Sequence, residues 1–170
     1  MTGESIDDQD LFRLFEAARW APSAGNTQPW RMFYAHRDSE HWPLFFGLLV
    51  EANQVWCRQA AVLVVFASRT TREGTDKPLK THSYDTGAAW ENFFLQGIRQ
   101  GLVVHGMAGF DYDRAKRALN LPDDFRVEAM AAVGRAGLTD DLPESHRGRE
   151  FPSPRKPVTE LVFDGPFRRA

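Results

Sequence analysis

A chain of 170 residues with 42% apolar and 26% charged side chains has the composition of a folded globular protein and is long enough to bury a core of its own. That excludes a wholly disordered, collagen-like or disulfide-scaffold protein, and a net charge of -2 offers no bulk attraction to nucleic acid or to an anionic membrane. The one cysteine, Cys57, cannot form an internal disulfide, the opening Met1–Ser5 is polar and unlike a secretory leader, and no run reaches the ~18 apolar residues of a membrane span. The expectation is a cytoplasmic protein without a nucleic-acid or membrane partner.

Asp7 stands as an N-cap ahead of Leu11, Leu14, Phe15 and Ala18, and that spacing predicts a helix from about residue 8 to 20. It stops at Trp20-Ala21-Pro22, because a residue before proline is pushed out of the helical region. Ser23 to Pro29 reads as a polar loop and Trp30 to His36 as a strand. Residues 40–52 carry Leu44, Phe45, Leu48 and Leu49 at helical spacing, and a second short helix is expected over 53–58. Ala60 to Ala67 is an unbroken apolar run rich in β-branched residues, which suits a central strand covered on both faces. Residues 69–84 read as a loop, and Asp85 as the cap of a long helix reaching about Gln100. That helix is apolar around most of its girth, as in a core or between subunits, and Gly101 closes it. A strand and a glycine-bounded turn follow over Leu102–Gly109, then a helix capped by Asp111 and an apolar strand over Val127–Val133. Residues 137–157 show no apolar periodicity, and a run that long without structure of its own is expected to be functional or to reach a partner. Val158–Phe163 reads as a final helical turn or an edge strand. Helices and strands without regular alternation predict an α+β fold with a mostly antiparallel sheet.

Familiar catalytic devices are missing. The five histidines are scattered, and no zinc-spaced Cys/His set, phosphate loop, Gly-x-Ser-x-Gly elbow or Gly-x-Gly-x-x-Gly appears. Gly106-Met107-Ala108-Gly109 has the spacing of an RNA-clamping loop but no flanking Lys or Arg. An enzyme built this way needs a bound cofactor to carry its chemistry, with no metal.

Three segments stand out. The first is Ala21-Pro22-Ser23-Ala24-Gly25-Asn26-Thr27-Gln28-Pro29-Trp30, a tight loop offering hydroxyl and amide groups. The second is Gly106-Met107-Ala108-Gly109-Phe110-Asp111, whose glycines allow a flat ring to approach the backbone. The third is Pro154-Arg155-Lys156-Pro157, where a guanidinium could take a phosphate. Together they resemble the signatures of the nitroreductase-like flavin enzymes, in which a helix ends in Ala-Pro-Ser, then Asn, then Gln-Pro-Trp, and an Arg-x-Pro lies near the end.

The resemblance implies the nitroreductase fold over residues 1–170 as a single domain and an intertwined homodimer, with 137–170 as an arm reaching the partner subunit. It implies FMN held by Pro22, Ser23, Asn26 and Gln28, by the turn Gly106, Met107, Ala108 and Gly109, and by Arg155 at the phosphate. The Ala108 N–H is the expected donor to flavin N5. Asn53, in an Asn-x-x-Trp pattern with Trp56, is a further expected contact, although a helix cap would suit it equally. Family members commonly begin with an Arg-Arg-Ser-x-Arg helix that this sequence lacks, which leaves Arg155 as the principal expected phosphate ligand. The implied reaction is ping-pong: NAD(P)H reduces the flavin, and a nitroaromatic, quinone or activated alkene takes the electrons, with no side chain acting as nucleophile. The alternatives are a flavin-binding or flavin-free dimer without turnover, and a relative that fragments flavin or removes halogen.

Overall fold

The computed structural model describes residues 1–142, 144–148 and 150–167. Within them lie α1 (Asp8–Arg19), β1 (Trp30–His36), α2 (Trp42–Leu48), α3 (Glu51–Cys57), β2 (Val62–Arg69), α4 (His82–Arg99), β3 (Leu102–Met107), α5 (Tyr112–Ala118), β4 (Phe125–Arg135) and the single turn α6 (Glu144–Arg147). The strands form one antiparallel sheet in the order β1-β2-β4-β3. This is the expected α+β architecture. Among the described residues no helix is long and apolar enough to cross a membrane.

The unbroken apolar run becomes β2, and Val62 to Ala67 are inaccessible on both faces. One face of the sheet is covered by α1 and α4, whose Leu11, Leu14, Ala18, Ala89 and Phe93 meet Trp30, Val64, Phe66 and Val104. The other is covered by α2, α3 and α5 through Phe45, Leu48, Cys57 and Ala115 against Leu63, Val65 and Met130. Each helix contributes the stripe that helical periodicity lays along one side. Asp7 and Asp111 act as the expected caps, accepting from the N–H groups of Gln9 and Arg114. Burial pushes the Cys57 thiol up to about 12, so it stays protonated and inert.

Two expected elements differ. The helix anticipated over 40–52 breaks at Leu49-Val50, because the Val50 N–H is taken by Gly109 O and Leu49 bridges to Phe110; tertiary pairing there outweighs helical propensity. The long helix begins at His82 rather than at an Asp85 cap, with Thr81 in the cap position. Its buried side is Asp85, Thr86, Ala89, Phe93 and Gly97, while Leu95 and Ile98 remain about half exposed, at 49% and 50%. The residues expected as an arm are exposed from 150 to 167, Val158–Glu160 forms a 3₁₀ turn, and residues 168–170 lie outside the described residues.

Gly97 is where α4 comes closest to its neighbours. A Cβ there would lie 2.4 Å from Val104 Cγ2 and 3.2 Å from Leu14 Cδ2. Alanine would gain up to about 1 kcal/mol in helix propensity, but overpacking against a stiff, β-branched valine costs about 1–3 kcal/mol. Gly97→Ala is therefore expected to lower the urea midpoint of unfolding; a raised midpoint would show that α4 can shift to make room.

Candidate functional site

The loop after α1 is wound tightly by its own polar groups. Ser23 Oγ accepts from the Gln28 N–H at 3.0 Å, Ser23 O from the Asn26 N–H at 3.0 Å, and Ala24 O from the Thr27 N–H at 3.3 Å. Gly25, Asn26 and Gln28 have φ of 59°, 54° and 45°. Glycine and asparagine tolerate that region, whereas Gln28 is strained by about 1–2 kcal/mol and is held by the Ser23 bond and the following proline. Strain of this kind is kept where the surroundings over-determine it. The Ser23 hydroxyl hydrogen and the exposed Asn26 amide have no partner among the described residues.

The loop hangs from two walls. At one end the Ala24 N–H donates to Asp85 Oδ2 at 3.2 Å, and the same oxygen accepts from Thr81 Oγ1 at 2.9 Å. At the other end Pro29 O accepts from the Arg69 N–H at 2.9 Å. Asp85 is thus a buried carboxylate, 4% exposed, that reaches back 61 positions rather than capping its own helix. A buried acceptor is kept by its donors.

The turn after β3 is braced from below. Asn53 Nδ2 donates to Gly109 O at 2.9 Å, and Trp56 Nε1 donates to Asn53 Oδ1 at 3.2 Å. Both ends of the Asn53 amide are therefore spent on protein groups, and the helix cap falls at Val50, so Asn53 is a brace rather than a cap. The glycines, too, serve protein packing: a Cβ on Gly109 would lie 2.7 Å from Asn53 Nδ2, and one on Gly106 2.7 Å from Trp90 Cζ2. Met107 is buried, whereas Ala108 is exposed. Ala108 O accepts from the Phe110 N–H at 3.1 Å, and the Ala108 N–H has no partner among the described residues.

The start of β1 and the end of β3 lie at the same end of the sheet, since Trp30 faces Ser68, Ser68 faces Arg126, and β3 runs toward that end of β4. They stand on opposite edges with β2 and β4 between them, about 14 Å apart across the sheet at ordinary strand spacing, and are further offset along it, since Met107 is level with Met130, Val65 and Phe33 rather than with Trp30. Within one chain the loop Pro22–Gln28 and the turn Gly106–Gly109 are therefore not brought together. Nor is Arg155, whose Nη1 donates to Ser153 O, Ser153 Oγ and Pro154 O on its own exposed segment.

Beside Asn53 the structure opens a cleft of about 370 Å³ lined by Trp56, His105, Leu142, His146 and Glu150. The His105 ring lies 4.4 Å from that of Trp56, and partial burial there pushes the imidazole below its ordinary value, with the Glu150 carboxylate acting the other way. Sequence reasoning passed over His105; the signal available was its place two residues before Met107, on the face that meets α3. No group of three or more His, Cys, Asp or Glu side chains among the described residues is placed to hold a metal ion.

Removing the acceptor at Asp85 leaves the Ala24 N–H and the Thr81 hydroxyl without their partner. Asp85→Ala should cost about 1–3 kcal/mol in a urea titration and render the loop 22–28 more susceptible to proteolysis. An unchanged unfolding curve would mean that water replaces the carboxylate.

The Nitroreductase family model matches residues 2–52 and 40–135. A Mycolicibacterium smegmatis protein named "Uncharacterized 15.4 kDa protein in ask 5'region" is 31% identical over 70% of this chain and 79% of its own. A Bacillus subtilis protein named "Putative NAD(P)H nitroreductase MhqN" is 26% identical over 95% of this chain and 90% of its own. A crystal structure described as an oxidoreductase containing FMN superposes with a TM-score of 0.94 at 44% identity, covering 98% of this chain and 86% of that one. The family match takes in both the Pro22–Gln28 loop and the Gly106–Gly109 turn, and the chain belongs to the nitroreductase family.

Proposed function

We propose that the protein is an FMN-dependent oxidoreductase that works as a homodimer, taking a hydride from NAD(P)H and passing electrons to a nitroaromatic, quinone or activated alkene in a ping-pong cycle. The observation that carries the reading is the unpartnered N–H of Ala108, exposed on a turn that Asn53 braces from behind. A fixed donor whose position is set before the ligand arrives needs no reorganisation during reaction. The 44% identity to an FMN-containing oxidoreductase supports the same cofactor.

The residues present fit a flavin. Ser23 and Asn26 have donors to spare, Gln28 presents a side-chain carbonyl, and Ala108 offers a backbone N–H. FMN, when bound, supplies two-electron hydride chemistry that amino-acid side chains do not offer. The work of the chain is to hold the ring at near-attack distance, roughly 3–3.5 Å from the donor, and to exclude water. Pro22, Ser23, Asn26 and Gln28 hold it from one side. The turn Gly106, Met107, Ala108 and Gly109 holds it from the other, with Asn53 acting through the turn.

Two copies reconcile this assignment with the separation of loop and turn: the loop of one faces the turn of its partner. Apolar side chains left open to solvent support the assembly. They include Leu95 and Ile98 on α4 and, on the arm, Phe151, Val158, Leu161, Val162 and Phe167, all between 49% and 71% exposed. The arm over 137–170 then crosses to the partner subunit and carries Arg155 with it.

Ala108→Pro deletes the proposed donor, and Met107, as a strand residue, tolerates a following proline. Ala108→Ser keeps the N–H. Stopped-flow reduction of bound flavin by NADH or NADPH should slow sharply in the first and little in the second, with both variants dimeric by light scattering. Equal rates would remove Ala108 from the reaction, and a wild-type protein that takes up no FMN would overturn the reading. At the phosphate end, Arg155→Ala should weaken FMN by roughly 10- to 150-fold and leave riboflavin nearly unaffected; overlaid FMN titrations would discard the assignment.

A further inference from the structure

We propose that Glu128 is a positioning residue that sets the spacing of the two walls from which the loop 22–28 hangs, and through it the reach of Ser23, Asn26 and Gln28; the cofactor they reach for is the one inferred above.

Glu128 stands where the β2–β4 register slips. Phe66 faces Ala129 and Ala67 faces Val127, so Glu128 between them opposes no residue. A bulge of this kind re-aims the side chain it releases. Here the carboxylate is directed into a polar cluster on the α4 side of the sheet. Its Oε1 accepts from Ser68 Oγ and from Ser83 Oγ, each at 2.6 Å. His82 Nδ1 lies 2.7 Å from Ser68 Oγ and 3.4 Å from Oε1, while Arg126 Nε lies 3.7 Å from Oε2. The Glu128 side chain is 17% exposed and Ser68 is fully buried. A carboxylate so covered is tolerated only because it is bonded.

The two serines belong to the two walls. Ser68 pairs with Trp30 and precedes Arg69, whose N–H holds Pro29 O. Ser83 lies in the first turn of α4, two residues before Asp85, which holds the Ala24 N–H. One carboxylate oxygen thus joins β2 to α4 at the level where the loop is suspended between them.

The hydrogens can be assigned. Each serine has one hydroxyl hydrogen, and both are donated to Oε1. The short contact between Ser68 Oγ and His82 Nδ1 then takes its hydrogen from the ring, so His82 carries a proton on Nδ1. The cluster is not a nucleophile triad. In a triad the imidazole accepts the serine proton while the carboxylate holds its other nitrogen. Here serine and carboxylate crowd the same nitrogen.

Three measurements test the assignment. Nitrogen-15 spectra of His82, assigned with His82→Asn, should show a proton on Nδ1 in the wild-type protein. A neutral ring protonated on Nε2 overturns the proposal and needs no carboxylate variant. Amide exchange, followed without added flavin, should accelerate at Arg69 and Asp85 by about tenfold or more in Glu128→Ala, with Val64 unchanged. Glu128→Gln keeps an oxygen for both hydroxyls and should stay within about threefold of wild type by the same reasoning. Unchanged exchange in Glu128→Ala overturns the proposal, as does a glutamine variant that behaves like alanine. If the alanine variant does not fold, the glutamine variant and the wild-type spectra still decide. FMN titration should show about tenfold weaker binding for alanine and recovery for glutamine. If the wild type binds no FMN, the cofactor reading falls, while the spectra and exchange still judge the clamp.

Discussion

A strand with no solvent face has to be covered twice, and β2 is that strand here. From Val62 to Ala67 every side chain is buried, alternately toward α1 and α4 and toward α2, α3 and α5. Full burial of one such aliphatic or aromatic side chain is worth about 1.5–3 kcal/mol, so the double covering of the strand is strongly favoured. It places the long helix α4 across the sheet and leaves the ends of the strands as the places where polar loops can emerge. Gly97 shows how tight that covering is, since α4, α1 and β3 meet where even a methyl group has no room.

The chemistry changes where the apolar run ends. One residue beyond Ala67 the buried position is Ser68, and across the sheet the ladder slips at Glu128. A regular register would have continued the apolar alternation to the end of the strand. The slip instead admits a carboxylate to the α4 side, and the polar groups of His82, Ser83 and Asp85 meet it and the loop after α1. The strained backbone at Gln28, the buried carboxylate of Asp85 and the largely covered one of Glu128 therefore share one region, fixed by a rigid apolar layer beneath it. That is the arrangement a binding loop needs, because side chains held from both ends lose little freedom when a ligand arrives.

Local information was well expressed in the sequence. Asp7 and Asp111 are caps whose partners lie two or three residues away, the run into β2 names its own burial, and Trp20-Ala21-Pro22 ends α1 where the proline rule puts the end. The unusual Pro22–Gln28 and Gly106–Gly109 strings carry a family resemblance in the sequence itself. What the sequence hid is long-range. Asp85 looks like a cap until Ala24 is seen to bond it, and nothing local distinguishes Glu128 from an ordinary strand glutamate. The glycines at 106 and 109 leave room on the Cβ side for Trp90 and Asn53. A glycine declares that something comes close without saying what.

The same limit applies to the apolar residues that found no place in the core. Helical periodicity made α4 apolar around most of its girth, and the fold uses only one side of it; Leu95 and Ile98 remain half open. Phe151, Val158, Leu161, Val162 and Phe167 sit on a segment that does not return to the sheet. Ordering a residue costs about 1–2 kcal/mol in backbone freedom, and scattered side chains facing water do nothing to offset it. The open face of α4 and the open arm are two surfaces of like chemistry in one chain, neither of which the chain covers by itself. A second copy would bury both, and the same association would set the loop of one chain against the turn of the other across the distance that two strands impose within each. In the proposed dimer, assembly and site would be one requirement: burial of the apolar surface would bring two chains together, and the spacing of β1 from β3 would make their union the condition for joining loop to turn.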